Sequence, residues 1–199
     1  MTYIMPLIVF FCSLLIFTIK DISISGSDIV YKNCPNNINM LYIVFSTMLP
    51  LFVTSFVGSS ITRDYEHKFD QIIYSTPVER IELLIGRFIG SFWIISFVFF
   101  TILLADFLSH FMPWADKEAL SATRWDSHLQ SFLLIALPNV FIIGSFLLLI
   151  ASWTKSITKT FLAALSFYFL YQMMMGLNDE IDNKTLACLV DPYGLIPIY

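Results

Sequence analysis

Five side chains in one stretch are of the types that do chemistry: Asp106, His110, Asp116, Asp126 and His128. Carboxylates and imidazoles set close together can pass protons or hold a divalent metal. Their spacing matches no ligand motif, and they fall in a polar stretch between two apolar runs. The expectation is therefore a set of solvated loop residues, with Asp106 marking the end of the run before it. No metal site and no cofactor is expected. The chain has no Gly-x-x-x-x-Gly-Lys-Ser/Thr phosphate loop and no His-Glu-x-x-His pair, so it is read as neither an ATPase nor a peptidase, and no catalytic residue is assigned. No paired acids and no Ser–base constellation lies inside an apolar run, which disfavours an intramembrane enzyme. Of the three cysteines, Cys12 sits in an apolar run and reads as a small buried hydrophobe. Cys34 and Cys188 both fall in polar loops, where a disulfide and two free thiols are alternative readings.

A second group of residues suggests mechanical work. In the stretch Arg63-Asp-Tyr-Glu-His-Lys-Phe-Asp-Gln-Ile-Ile-Tyr-Ser-Thr-Pro-Val-Glu-Arg80, Tyr65, Phe69, Ile72 and Ile73 recur at helical spacing, with Asp64, Glu66, Lys68, Asp70 and Gln71 on the remaining surface. This pattern predicts an amphipathic helix lying on a membrane face. A new helix then starts: Thr76 suits the N-cap, Pro77 the first helical position, and Glu79 completes a capping box. The residue before a proline is biased away from the helical region, so the chain must bend at Ser75–Thr76. Such an elbow transmits force from the surface helix to the base of the next span.

The elements that must position these groups are apolar. Charged residues make up 13% of the 199 and hydrophobic ones 57%, with a mean hydropathy of +0.76. A soluble domain carries about a quarter charged residues, so a water-facing shell of ordinary density cannot be built. A net charge of −4 argues against nucleic acid, which demands clustered Lys and Arg. Crossing about 30 Å of hydrocarbon takes about 20 residues of helix. Five runs predict an all-α bundle of about five transmembrane helices forming a single membrane domain over 1–199: 4–19, 38–61, 83–107, 129–153 and 157–177. Pro50 and Pro138 predict kinks that neighbouring helices re-satisfy. Arg87, one turn inside the third run, is expected to snorkel to the interface. Trp114, Trp125 and Trp153 fall near interfaces and Trp93 lies deeper. Gln172 is expected to bond to a neighbouring helix. The soft run Tyr168–Met175 is read as packing, with a lining for a greasy substrate as the sharper alternative.

Six Lys/Arg fall in the set that holds the stretch from Arg63 to Arg87 and the link from Trp153 to Lys159, and five in the longer set 20–37, 106–127 and 178–199. The positive-inside rule then predicts a cytoplasmic 63–82 loop and a cytoplasmic N-terminus.

The stretch Gly58-Ser-Ser-Ile-Thr-Arg-Asp-Tyr-Glu66, followed by Ser75-Thr-Pro-Val-Glu-Arg80 and Leu83-Leu-Ile-Gly-Arg87, resembles the loop between the second and third spans of type-2 ATP-binding-cassette (ABC-2 type) permeases. The resemblance implies a coupling helix that docks into a separate ABC ATPase subunit. Carried over residue by residue, the docking set is Arg63, Asp64, Tyr65, Glu66, Phe69, Ile72, Ile73, Thr76, Pro77 and Arg80. Leu137-Pro-Asn139 and Asp191-Pro-Tyr-Gly194 resemble the branch often fused to a zinc aminopeptidase domain, with Tyr193 where Phe is usual. The family implies a bacterial inner-membrane exporter that needs a second permease unit, as a homodimer or a fused half. A family unit has six spans and a cytoplasmic lead-in, so the chain is expected to be part of a longer protein. The alternative is a membrane anchor for a peptidase-like domain outside this chain.

Overall fold

In hydrocarbon every backbone N–H and C=O needs a partner within the protein, and a helix supplies one for nearly all of them. The computed structural model describes residues 4–19, 31–66, 80–115, 120–178 and 193, and among these the regular structure is all helix, with no strand. The helices are α1 (Ile4–Thr18), α2 (Pro35–Thr47), α3 (Leu49–Val53), α4 (Ser59–Glu66), α5 (Arg80–Ser109), α6 (Trp125–Ser131), α7 (Leu137–Thr154) and α8 (Ile157–Asn178). Two π turns, Thr54–Gly58 and Phe132–Ala136, join α3 to α4 and α6 to α7.

Helix occupies each of the five apolar runs. Among the described residues, Ile81–Ser109 and Trp125–Thr154 are each long and apolar enough to cross a membrane. Pro35–Thr47 and Leu49–Arg63 pass the same test together, bent by 51°. Ile4–Thr18 is apolar but shorter, at 15 residues. The chain is thus a helical polytopic membrane protein.

The two expected proline breaks take different forms. Pro50 has no N–H and its ring crowds the carbonyl four residues back, and the helix breaks at Met48 just ahead of it. The Thr54 hydroxyl then donates to the Pro50 carbonyl at 2.7 Å. Ahead of Pro138 the helix instead widens into the π turn Phe132–Ala136 and runs on, which absorbs the missing donor without ending the helix.

Contacts divide the chain into two compact units: Met1–Ser46, Ser96–Pro138 and Cys188–Tyr199 form one, Thr47–Ile95 and Asn139–Ala187 the other. In the first, Val9, Leu14 and Phe17 of α1, Ile38, Leu41 and Tyr42 of α2, and Val98, Phe99 and Ile102 of α5 are buried. The hydroxyls of Ser13 and Thr18 donate to carbonyls four residues back, Val9 at 2.7 Å and Leu14 at 2.8 Å, so α1 buries them without an orphan. That register turns Cys12 outward beside Phe11 and Leu15: it is exposed, not the buried hydrophobe its apolar neighbours suggested.

In the second unit α3, the first π turn and α4 pack along α8. The Phe88 ring meets Phe141 at 5.8 Å between centroids, and a Cβ on Gly144 would lie 3.0 Å from that ring. Helices α7 and α8 are joined by only Lys155 and Ser156, with Lys155 in the left-handed region at φ 50°. Gln172 bonds within its own helix, donating to the Tyr168 hydroxyl at 3.1 Å from an exposed position. The expected interhelical bond is therefore not what holds it, because an i−4 phenol is the nearer acceptor. Trp93, Trp114, Trp125 and Trp153 are all exposed.

Gly144→Val is expected to destabilise the protein by about 1–3 kcal/mol through overpacking against Phe88. Gly90→Ala, with no heavy atom within 4 Å of its Cβ, is expected to be neutral or stabilising by up to about 1 kcal/mol. Thermal unfolding of both variants in detergent micelles checks the contrast.

Candidate functional site

The described chain reaches the 63–82 loop from both ends. Arg63 is exposed on α4, and Asp64, Tyr65 and Glu66 form the last turn of that helix. Arg80 opens the described part of α5. The side chains of Asp64, Tyr65, Glu66 and Arg80, and the whole of Phe69, Ile72, Ile73, Thr76 and Pro77, lie outside the described residues.

The base of the loop is tied by one cation. Arg87 Nη1 donates to the Ser60 carbonyl at 2.6 Å, fastening α5 to α4 across 27 residues of sequence. The guanidinium thus has a helix carbonyl as a partner close to the start of its run. A charged donor makes this one of the stronger hydrogen bonds, worth about 1.5–3 kcal/mol. Two residues earlier, Gly58 lets this limb close on α8, with its notional Cβ 3.5 Å from Thr160. Thr160 is fully buried, donates to the Ser156 carbonyl at 3.0 Å and faces the Thr154 hydroxyl at 3.3 Å. Hydroxyls bonded to their own helices, Thr62 to Gly58 at 3.0 Å among them, let the limbs pack closely without leaving polar atoms in need of water.

A second polar site lies in the first unit, where the sequence pointed to solvated loop residues. Asp106 and His128 are both 0% exposed. His128 Nε2 and Asp106 Oδ2 are 3.2 Å apart. The rings of Phe17 and Tyr42 lie edge-on to His128 at 6.5 and 6.1 Å. His110 is half-buried, with Nδ1 3.0 Å from the Asp106 carbonyl and Nε2 2.8 Å from the Ser121 carbonyl. Asn33 and Ser121 exchange two bonds, at 2.6 and 2.8 Å. Ser131 reaches Asn39 Oδ1 at 2.5 Å. Asp126 is exposed, as the sequence suggested, and Asp116 lies outside the described residues.

The correction has a simple cause. Hydropathy ends the third run at Phe107 and opens the fourth at Leu129, so a charged residue at the boundary is assigned to the loop. Both helices run past those limits. Within them Phe99, Ile102, Leu103 and Asp106 share the inward stripe, and so do His128 and Ser131, three residues apart. Extending the helical register across the boundary is the signal that would have found the pair.

Asp106 Oδ1 and His128 Nδ1 have no hydrogen-bond partner, so the pair is underbonded for its burial. Among the described residues no third His, Cys, Asp or Glu joins them in a group that could hold a metal, and two ligands fall short of a zinc site. What the pair and its neighbour His110 can do is hold protons between helices.

The sequence profile of the family described as ABC-2 family transporter protein matches residues 11–186. The chain belongs to that family. An ABC-2 permease is an integral membrane transport component rather than an enzyme, and the family implies an ABC ATPase as its partner. Comparison with curated proteins and with solved structures gives no match. The matched region of this ABC-2 permease takes in both the loop base and the buried Asp–His pair.

Asp106→Ala would leave His128 buried without its partner, a loss of about 1–3 kcal/mol for an unsatisfied buried polar group. Replacing both residues by apolar ones, Asp106→Val with His128→Leu, is expected to recover most of that loss. Comparing the thermal unfolding midpoints of the single and double variants in micelles checks this.

Proposed function

We propose that this ABC-2 permease forms one half of an exporter in a bacterial inner membrane, with five crossings in this chain and its N-terminus in the cytoplasm. The 63–82 loop lies on the cytoplasmic side and docks into the ATPase. Tyr65, Phe69, Ile72 and Ile73 form the apolar docking face, Arg63, Asp64 and Glu66 set its charge, and Thr76, Pro77 and Arg80 anchor the third span. A second permease unit, a homodimer partner or a fused half, completes the pathway across the bilayer. The Asp191-Pro-Tyr-Gly194 stretch supports a place in the branch often fused to a zinc aminopeptidase.

The observation that carries this reading is the Arg87–Ser60 bond. It clamps the two limbs of the loop together at their base, so a push on the loop is delivered to α4 and α5 as one piece. The 51° break at Met48 lies a few turns along the same limb and supplies a place to bend. ATPase closure would then rock the limbs, and access would alternate by rigid-body motion.

Phe69→Asp is expected to abolish co-purification with the ATPase subunit. Arg87→Gln is expected to leave co-purification intact while cutting transport by about 10-fold, in line with losing one charge-assisted bond. If Phe69→Asp retains the subunit, the docking face is assigned wrongly; if Arg87→Gln transports normally, the clamp is not part of the coupling.

A further inference from the structure

The polar seam of the first unit contains an imidazole whose two nitrogens both face acceptors. His110 Nδ1 lies 3.0 Å from the Asp106 carbonyl and Nε2 2.8 Å from the Ser121 carbonyl. Carbonyl oxygens only accept, and a neutral imidazole has a single N–H. The neutral ring therefore makes one of these bonds and aims a lone pair at the other oxygen. Only the doubly protonated ring makes both.

We propose that His110, with Asp106 and His128, forms a proton-responsive clasp that holds the lead-in to α6 against the end of α5 when His110 is charged and releases it when that proton leaves. The Ser121 carbonyl is the point held: it also accepts from Asn33 Nδ2 at 2.6 Å, so three stretches of chain meet there. Beside it, His128 Nε2 and Asp106 Oδ2 lie 3.2 Å apart and join α6 to α5. Removing the His110 proton breaks one of the two carbonyl bonds and leaves a lone pair facing a carbonyl oxygen.

Among the described residues few other groups face the seam. From α2, Tyr42 faces His128 with its ring 6.1 Å away. From α1 the neighbour is the Phe17 ring, and the Ser13 and Thr18 hydroxyls are spent on their own helix. On the lead-in to α6, Thr123 Oγ1 lies 3.5 Å from His110 Nδ1, while Arg124 and Asp126 are exposed. The clasp is therefore closed when both ring nitrogens of His110 carry protons and loosens when one is lost. It makes this end of the permease answer to the pH of whichever compartment it faces.

Backbone hydrogen exchange across 106–115 and 120–128, measured on the whole chain in nanodiscs at pH 6 and pH 8 and corrected for intrinsic rates, tests the clasp. Protection is expected to fall at least ten-fold from pH 6 to pH 8 in the wild type, and to be low and unchanging in His110→Phe. Equal protection at both pH values, or the same fall in His110→Phe, overturns the proposal. The wild type alone provides a second reading. The chain has three histidines, so ring ¹⁵N resonances are assignable by single replacements. In the protected state both His110 nitrogens must carry protons, and a bare nitrogen there sinks the idea.

Discussion

A peptide carbonyl in hydrocarbon has no water to turn to, and the rest of this structure follows from that constraint. The helical ladder satisfies nearly all of the backbone, so departures from it mark where the chain had to be rescued locally. Thr54 donates to the carbonyl of Pro50. Arg87 donates to a carbonyl of α4. His110 faces two carbonyls, and Asn33 reaches the Ser121 carbonyl. Side-chain donors thus settle wherever a helix bends or ends, and the permease's two polar centres lie at such places.

The two prolines show how local rules yield different outcomes. Both remove a donor and crowd a carbonyl, yet one breaks its helix by 51° and the other is absorbed in a π turn. Met48 is left outside the helix before Pro50, while Phe132–Ala136 gains one residue of slack before Pro138. A break concentrates compliance at one point, whereas a π turn spreads it over five residues. The first of these lies in the limb that leads to the 63–82 loop.

Much of this was legible in the residues. The apolar runs carry helix, the kink at Pro50 lies where the ring chemistry demands it, and the motif from Gly58 to Arg87 led to the family to which residues 11–186 belong. What was hidden lay at boundaries. Asp106 and His128 are polar residues at the ends of greasy runs, and hydropathy averages over a window that cannot tell a helix end from a loop. Cys12 and Gln172 were misjudged for a related reason: composition says that a residue lies in a helix, but the rotation of that helix is decided by contacts. The opposite holds for Arg87, whose position was seen correctly and whose partner, 27 residues away in sequence, no local pattern could supply.

The two-residue link between α7 and α8 limits how far those two helices can move apart. Lys155 takes up a left-handed conformation that costs a non-glycine residue about 1–2 kcal/mol, and so reverses the chain in the shortest distance. Phe146 and Phe167 then meet at 5.8 Å, and Thr154 faces Thr160. With so short a tip, α7 and α8 cannot splay from one another at that end, and the stretch from Leu137 to Asn178 behaves as one stiff hairpin.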